Sequence, residues 1–597
     1  MRLQLRNSIS TEKYFDRFVS ENILARLRDL DARVNSGGLA ALDPSSDLLA
    51  AIGTETDSAG RVTKNSYGVL NLSWQARENP EWPDQIAREI DEIRGAIRET
   101  HGTNLRFLIW AGMGGSIEDK SMYQAVGLLR GGPRFYALDS TDPAKLKSIL
   151  ADMQKRTRRP LPEILKSTLV VGMAMGMTSW EPVVNLEKLT ALFAKHKVDS
   201  RPNFLYLTLP GSLLDQFAAP RGYRKVELQL DGRNTTAGRH SGPLTRGSLY
   251  PLALAGVDLR AWIAGTLLTD DEIHTAWKLA GFIHAQSEAG RDKIILLLPR
   301  KWSGAALWTK QDFEESLGKS ESLGLKIVIN EKLRPAADRV FLIVGESASV
   351  PRGFPAATLK LPARCTLSRY MQFIHYVVFG LGYLRRMNFV TQPSVELYKS
   401  IANSLHAEAG RVGGIQQTAA WKTFQSTRMK GPRGVSLYGN FAYSPGAASH
   451  MVYAGLLMLE AHLHNIEYGE LTFFGDTRYN SRGRELRRVL DRAAQRLFNR
   501  RLQLPVDVYE GPAMNHSYHE MIIGHGKCFS TILLSEKQES IRAIDYNPGY
   551  HMAQFLATKM ALEQKGRTVV AITIKDLSAK SLAALDEFFQ QAAALIR

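Results

Sequence analysis

Apolar residues recur along this chain in two rhythms. From residue 1 to about 104 they fall at helical spacing, over Thr11–Leu30 and again over Pro83–Thr100, where Ile86, Ile90, Ile93 and Ile97 share one face. Between these, Ser36–Ser66 is rich in Gly, Ser, Asp and Thr and reads as loop. Beyond residue 104 the rhythm changes to short apolar runs separated by amphipathic stretches. Strands are predicted over Arg106–Trp110, Thr168–Val171, Asn203–Leu207 and Lys225–Leu228. A second series covers Lys293–Leu298, Leu325–Ile329, Val340–Val344 and Leu471–Phe474, with Val569–Ile572 near the end. Such alternation predicts βαβ units and an α/β fold of mostly parallel sheets flanked by helices. The expected organisation is a mostly helical N-terminal segment over 1–104, a first α/β domain over 105–290, and a second over 291–597 that ends in a helical tail.

Composition narrows the classes. With 597 residues, 44% hydrophobic and 23% charged, the chain can bury a sizeable core, which excludes a disordered or collagen-like protein. Its two cysteines, Cys365 and Cys528, cannot build a disulfide framework or a four-thiolate zinc site, and they suit a reducing, cytoplasmic setting. The 76 basic and 59 acidic residues give a net charge of +17, which attracts anions. The basic clusters at Lys155–Arg159 and Arg482–Arg488 lack the interleaved aromatics of a strand-binding platform, so nucleic acid is not the expected partner. The N-terminus lacks the apolar core of a signal peptide, and the longest apolar stretch, Phe373–Leu384, is shorter than the roughly 20 residues a membrane helix needs. A soluble protein is expected, with no membrane partner.

Five segments carry residue types suited to chemistry. Gly112-Met113-Gly114-Gly115-Ser116 follows a predicted strand and precedes a predicted helix. Gly114 and Gly115 would let the backbone approach a ligand, the helix start favours an anion, and Ser116 adds a hydroxyl. Gly238-Arg239-His240-Ser241 holds an arginine in a glycine-containing turn, suited to an oxyanion. In Gln311-Asp312-Phe313-Glu314-Glu315-Ser316-Leu317-Gly318-Lys319, Gln311 and Glu315 lie four apart and share a helix face. Gln392-Pro393-Ser394-Val395-Glu396-Leu397-Tyr398-Lys399 places proline at a helix start and Lys399 about two turns in. In Asn515-His516-Ser517-Tyr518-His519-Glu520, with His525 and Lys527 behind, the histidines lack zinc-ligand spacing, and no metal is expected.

Together these segments resemble the glucose-6-phosphate isomerase family, whose fold is two sugar-isomerase (SIS) domains. Gly112–Ser116 is similar to its glycine-rich sugar-phosphate loop, Gly238–Ser241 to its Gly-Arg-x-Ser signature, and Gln311 with Glu315–Lys319 to Q-x-x-x-E-S-x-G-K. Gln392–Lys399 resembles F-D-Q-x-x-V-E-x-x-K, with Val390-Thr391 in place of Phe-Asp, and His516–Glu520 resembles the segment around the catalytic histidine. Ala553-Gln554 and Lys565–Val570 resemble the family's tail. The likeness is to the branch in which the isomerase is fused to a transaldolase. It covers about 105–597, and the segment before it is only loosely matched.

The resemblance implies two SIS-type domains and interconversion of glucose 6-phosphate and fructose 6-phosphate, within glycolysis and gluconeogenesis. Glu315 would move the proton between C2 and C1, and Arg239 would stabilise the enediolate. His516 and Lys399 would assist ring opening, while Gln311 would orient the substrate. Gly114, Gly115, Ser116, Thr178 and Ser179 would bind the sugar phosphate. No metal or organic cofactor is implied. A homodimer is implied, in which the histidine crosses from the partner, so that His516 would serve a neighbouring site.

One departure changes the expected substrate. Where the family's second phosphate loop reads S-K-S/T-x-T-T, this chain has Met173-Ala174-Met175-Gly176-Met177-Thr178-Ser179. Hydrogen bonds to a charged group are worth about 1.5–3 kcal/mol each, so losing two or three weakens phosphate binding on the order of a thousandfold unless a cation from elsewhere compensates. An isomerase for a different anionic sugar and a non-catalytic sugar-phosphate binder are the alternatives this loop raises.

Overall fold

Three large sheets of the same underlying topology, with a two-stranded antiparallel sheet of Thr54–Thr56 and Val62–Asn65, are formed by the described residues of a computed structural model. The structure describes the chain apart from residues 7–8, 39–41, 44, 52–53, 66–67, 232–241, 330, 332–335, 346–351, 443, 445, 464–465 and 597. The first sheet is wholly parallel, in the order Arg134–Leu138, Phe107–Ala111, Thr168–Ala174, Phe204–Thr208, Arg224–Lys225. All residues of Phe107–Ala111 and Thr168–Ala174 are buried, as expected for strands covered on both faces by helices. The chain order in the sheet reverses between these two strands. Their carboxyl ends therefore open the crevice where doubly wound sheets take ligands.

The second strand series, expected in one domain over 291–597, divides between two sheets. One runs Ala356–Lys360, Arg339–Val344, Lys293–Leu297, Lys326–Val328, all parallel, and the N-terminal strand Arg2–Arg6 adds antiparallel to its edge. The other runs Arg428–Lys430, Val435–Tyr438, Val569–Ile574, Cys528–Ser535, Tyr468–Phe474, Val506–Gly511, with its last four strands parallel. In the chain between the two sheets come the helices Leu367–Leu384, buried almost throughout, and Pro393–Val412.

The N-terminal segment is mostly helical, as its periodicity predicts, and Ile86, Ile90, Ile93 and Ile97 are buried on the helix Trp82–His101. The helix expected over Thr11–Leu30 is two helices, Glu12–Ser20 and Ile23–Gly37, because Asn22 adopts a left-handed conformation at φ 52°. Of Lys225–Leu228 only Lys225 pairs in the sheet. Among the described residues no helix is long and apolar enough to cross a membrane.

The strand Val506–Gly511 lies at the edge of the third sheet and is wedged among the other units. Successive side chains of a strand point to opposite faces, so Asp507 and Glu510 reach opposite ways. Asp507 receives Lys310 Nζ at 2.9 Å and an ion pair from Lys326; both lysines also meet Glu314, at 2.9 and 3.1 Å. Glu510 pairs with Lys145 and Arg478, and both of these pair with Asp139. Each cluster holds two cations and two anions and is neutral. Burial alone would raise the Asp507 carboxyl, but the charges of Lys310 and Lys326 outweigh it and hold it low. The edge strand is thereby fixed to the helix Ala306–Leu317 on one side and to the first sheet on the other.

Candidate active site

The crevice of the first sheet opens into a cavity of about 470 Å³ to which every unit contributes. Gly115 and Ser116 line it from the loop after Phe107–Ala111, Met173 from the end of Thr168–Ala174, and Met175, Gly176 and Ser179 from the loop that follows. Glu315 enters from the helix Ala306–Leu317, which follows a strand of the second sheet. Gln392, Glu396 and Lys399 come from the segment opening the helix Pro393–Val412, and His516 comes from the turn after Val506–Gly511.

The Q-x-x-x-E-S-x-G-K stretch divides its labour. Glu315 is fully buried and reaches the cavity. Gln311 Nε2 donates to Glu315 Oε2 at 2.7 Å, and Gln392 Nε2 donates to the other oxygen. Gln311 lies behind Glu315 and holds its carboxylate. A methyl group on Gly318 would lie 2.4 Å from Met521 Cβ, so glycine here lets the end of this helix meet the helix His519–Gly524. Lys319 Nζ donates to the Asn388 carbonyl at 2.6 Å, tying the motif to the segment that carries Gln392.

His516 Nε2 lies 2.8 Å from Glu181 Oε1, which also accepts from Gln554 Nε2 at 3.0 Å. Burial would raise the Glu181 carboxyl, but the charge and hydrogen bond of His516 offset this and hold it below the usual range. The Tyr398 ring meets His516 edge-on at 5.7 Å. Gly114, at φ 49°, has the His516 carbonyl oxygen 2.4 Å from where a Cβ would stand, so the glycine loop and the histidine turn are in direct contact. His519 instead pairs with buried Glu470 at 3.1 Å, and Glu520 Oε2 accepts from the backbone N–H groups of Ser394 and Val395 at 3.1 Å, capping the helix that carries Lys399.

Of the expected site residues, Glu315, His516, Lys399, Gly115, Ser116 and Ser179 converge on one cavity. Gly114 abuts His516 behind it. Thr178 is exposed and does not line it, because the loop turns outward at Met177. Arg239 lies outside the described residues. His516 shares its cavity with the Glu315 of the same chain. The reason is the third sheet, which brings the histidine turn back against the first. Glu181, Gln392 and Glu396 were not singled out from sequence. Glu181 lies two residues beyond Ser179 with no local pattern, whereas Gln392 opens the Gln392–Lys399 motif.

One cluster among the described residues has metal-ligand types at suitable spacing, Asp292, Glu467 and His525, whose ligand atoms lie within 4.8 Å of one another. Lys293 Nζ binds both carboxylates, at 3.0 and 2.7 Å, and already supplies the cation there.

No family model matches the chain. Glucose-6-phosphate isomerase of Parasynechococcus marenigrum (strain WH8102) is 27% identical over 313 residues, covering 48% of this chain and 54% of that protein. The protein of the same name from Prochlorococcus marinus (strain MIT 9313) is 27% identical over 254 residues, covering 40% and 44%. The chain spans about half the length of the curated relatives it matches. Among solved structures, a glucose-6-phosphate isomerase from Chlamydia trachomatis D/UW-3/Cx superposes with a TM-score of 0.48 at 12% identity, covering 70% of this chain and 90% of that one. In sequence, the chain resembles the glucose-6-phosphate isomerases.

Proposed function

We propose that the chain is an aldose–ketose isomerase that interconverts glucose 6-phosphate and fructose 6-phosphate through an enediolate. The observation that carries this reading is the placement of Glu315: a buried carboxylate, held at both oxygens by amide donors, opening onto a cavity that also holds a carboxylate-backed histidine. Isomerisation needs a base beside the carbon next to the carbonyl. Glu315 takes the C2 proton of the open-chain aldose and returns it to C1 of the enediolate, giving the ketose. With His516 Nε2–H given to Glu181, the opposite ring nitrogen carries the lone pair; it takes the C1 hydroxyl proton as the ring opens and returns a proton to the ring oxygen. The N–H groups and hydroxyls of Gly115, Ser116 and Ser179 face the sugar phosphate, and Arg239 remains the motif's candidate for stabilising the enediolate. This chemistry calls for no metal or organic cofactor. The free Cys365 and Cys528 suit a reducing, cytoplasmic setting. The homodimer that the family resemblance implies belongs to the same reading.

A second reading, an isomerase for a different anionic sugar, is favoured by Met173 and Met175, which line the cavity where the family's loop carries polar residues. The test is turnover of fructose 6-phosphate read through a glucose-6-phosphate-specific dehydrogenase, beside other phosphorylated ketoses. Saturable turnover of fructose 6-phosphate supports the first reading. Turnover confined to another ketose phosphate supports the second.

A further inference from the structure

Resting on the isomerase reading, we infer that Lys399 is the anchor for the anionic end of the substrate, in place of the lysine that the Met173–Ser179 loop lacks. Lys399 is the one Lys or Arg among the described residues lining the cavity. Its ammonium faces that loop: a methyl group built on Gly176 would lie 3.5 Å from Lys399 Nζ and 3.6 Å from Ser179 Oγ. The bare Gly176 backbone, the ammonium and the hydroxyl thus surround one point at the carboxyl end of Thr168–Ala174, where a doubly wound sheet receives an anion.

Position along the helix gives the second argument. Gln392 contacts Glu315 at the start of the helix Pro393–Val412, and Lys399 lies two turns further on, about 10 Å along the axis at 1.5 Å per residue. An extended phosphorylated hexose, with C1 and C2 at the Glu315 carboxylate, places its far end near that ammonium. Lys399 now pairs with Glu396 Oε1 at 2.7 Å, but the Glu396 side chain is 57% exposed. The exposed Glu396 carboxylate is hydrated and free to swing away, so a phosphate can take its place at the ammonium. A charge-assisted contact to phosphate from a side chain only 10% exposed is the stronger interaction.

The anchor is separated from a ring-opening role by a ligand that has no ring. The open-chain alcohol sorbitol 6-phosphate is titrated calorimetrically into wild type, Lys399→Met and Lys399→Arg, with unphosphorylated sorbitol as the control. The expected result is a loss of affinity of about 10- to 100-fold in Lys399→Met, most of it restored in Lys399→Arg, with sorbitol unaffected. If Lys399→Met does not fold, the neutral Lys399→Gln carries the same comparison. Equal affinity in wild type and the neutral variant, in a protein that turns over fructose 6-phosphate, overturns the anchor and leaves the isomerase reading standing. Absence of turnover with the affinity loss intact removes the isomerase reading and leaves the anchor standing. Absence of sorbitol 6-phosphate binding by wild type overturns the anchor outright.

Discussion

Glu315 and His516 are each held by a partner from a distant part of the chain, and that constrains what single substitutions do. Gly114 touches the His516 carbonyl so closely that a side chain cannot be added without moving the histidine turn, and its positive φ disfavours any L residue. Gly114→Ala is therefore expected to displace His516 by a fraction of an ångström or more. The predicted consequence is a fall in kcat on the order of a hundredfold, with the thermal midpoint changed little by comparison. Steady-state kinetics beside a thermal melt check this, and an unchanged kcat would show that the contact does not position the histidine. The same reasoning explains why Glu181 matters though nothing in its neighbourhood advertises it: its role is set by Nε2 of a residue 335 positions away.

At the scale of elements, the edge strand Val506–Gly511 joins the three units through two buried neutral clusters. Removing one member leaves charges unpaired in the interior, which is costlier than losing the pair. Asp507→Ala leaves Lys310 and Lys326 facing only Glu314, and a loss of about 3–5 kcal/mol of stability is predicted, read by denaturant unfolding. A loss below about 1 kcal/mol would place the cluster in water-accessible surroundings instead. This strand also shows where sequence reading stops. Runs such as Phe107–Ala111 and Leu169–Ala174 lack polar side chains and were legible, as was the α/β class they imply. Val506–Gly511 carries Asp507 and Glu510 at positions that a local pattern reads as solvent-facing, because the lysines that neutralise them come from other sheets. For the same reason the second series read as one domain: strand periodicity does not tell which strands pair. The site was legible as motifs, since Gln311, Glu315, Lys399 and His516 stood in recognisable spacing. The division of work within each motif was not: Gln311 holds Glu315, and Glu520 caps the Pro393–Val412 helix.

At the scale of the molecule, distant parts of one chain meet at the cavity. The third sheet returns His516 to the crevice of the first, so Glu315, His516 and Lys399 line a single cavity. Mixing Glu315→Gln chains with His516→Ala chains is then expected to restore no turnover, even after co-refolding, because each site keeps one defect. Recovered turnover in the mixture would mean that sites are shared between chains. The account's central claim is the proton transfer by Glu315, and it is tested most directly by isotope exchange. Fructose 6-phosphate is incubated in deuterated water with wild type or with Glu315→Gln, and deuterium at C1 of the ketose and C2 of the aldose is followed by NMR. The account predicts incorporation by wild type and none above background by Glu315→Gln, which still binds sorbitol 6-phosphate. Deuterium entering at an undiminished rate in Glu315→Gln would contradict it.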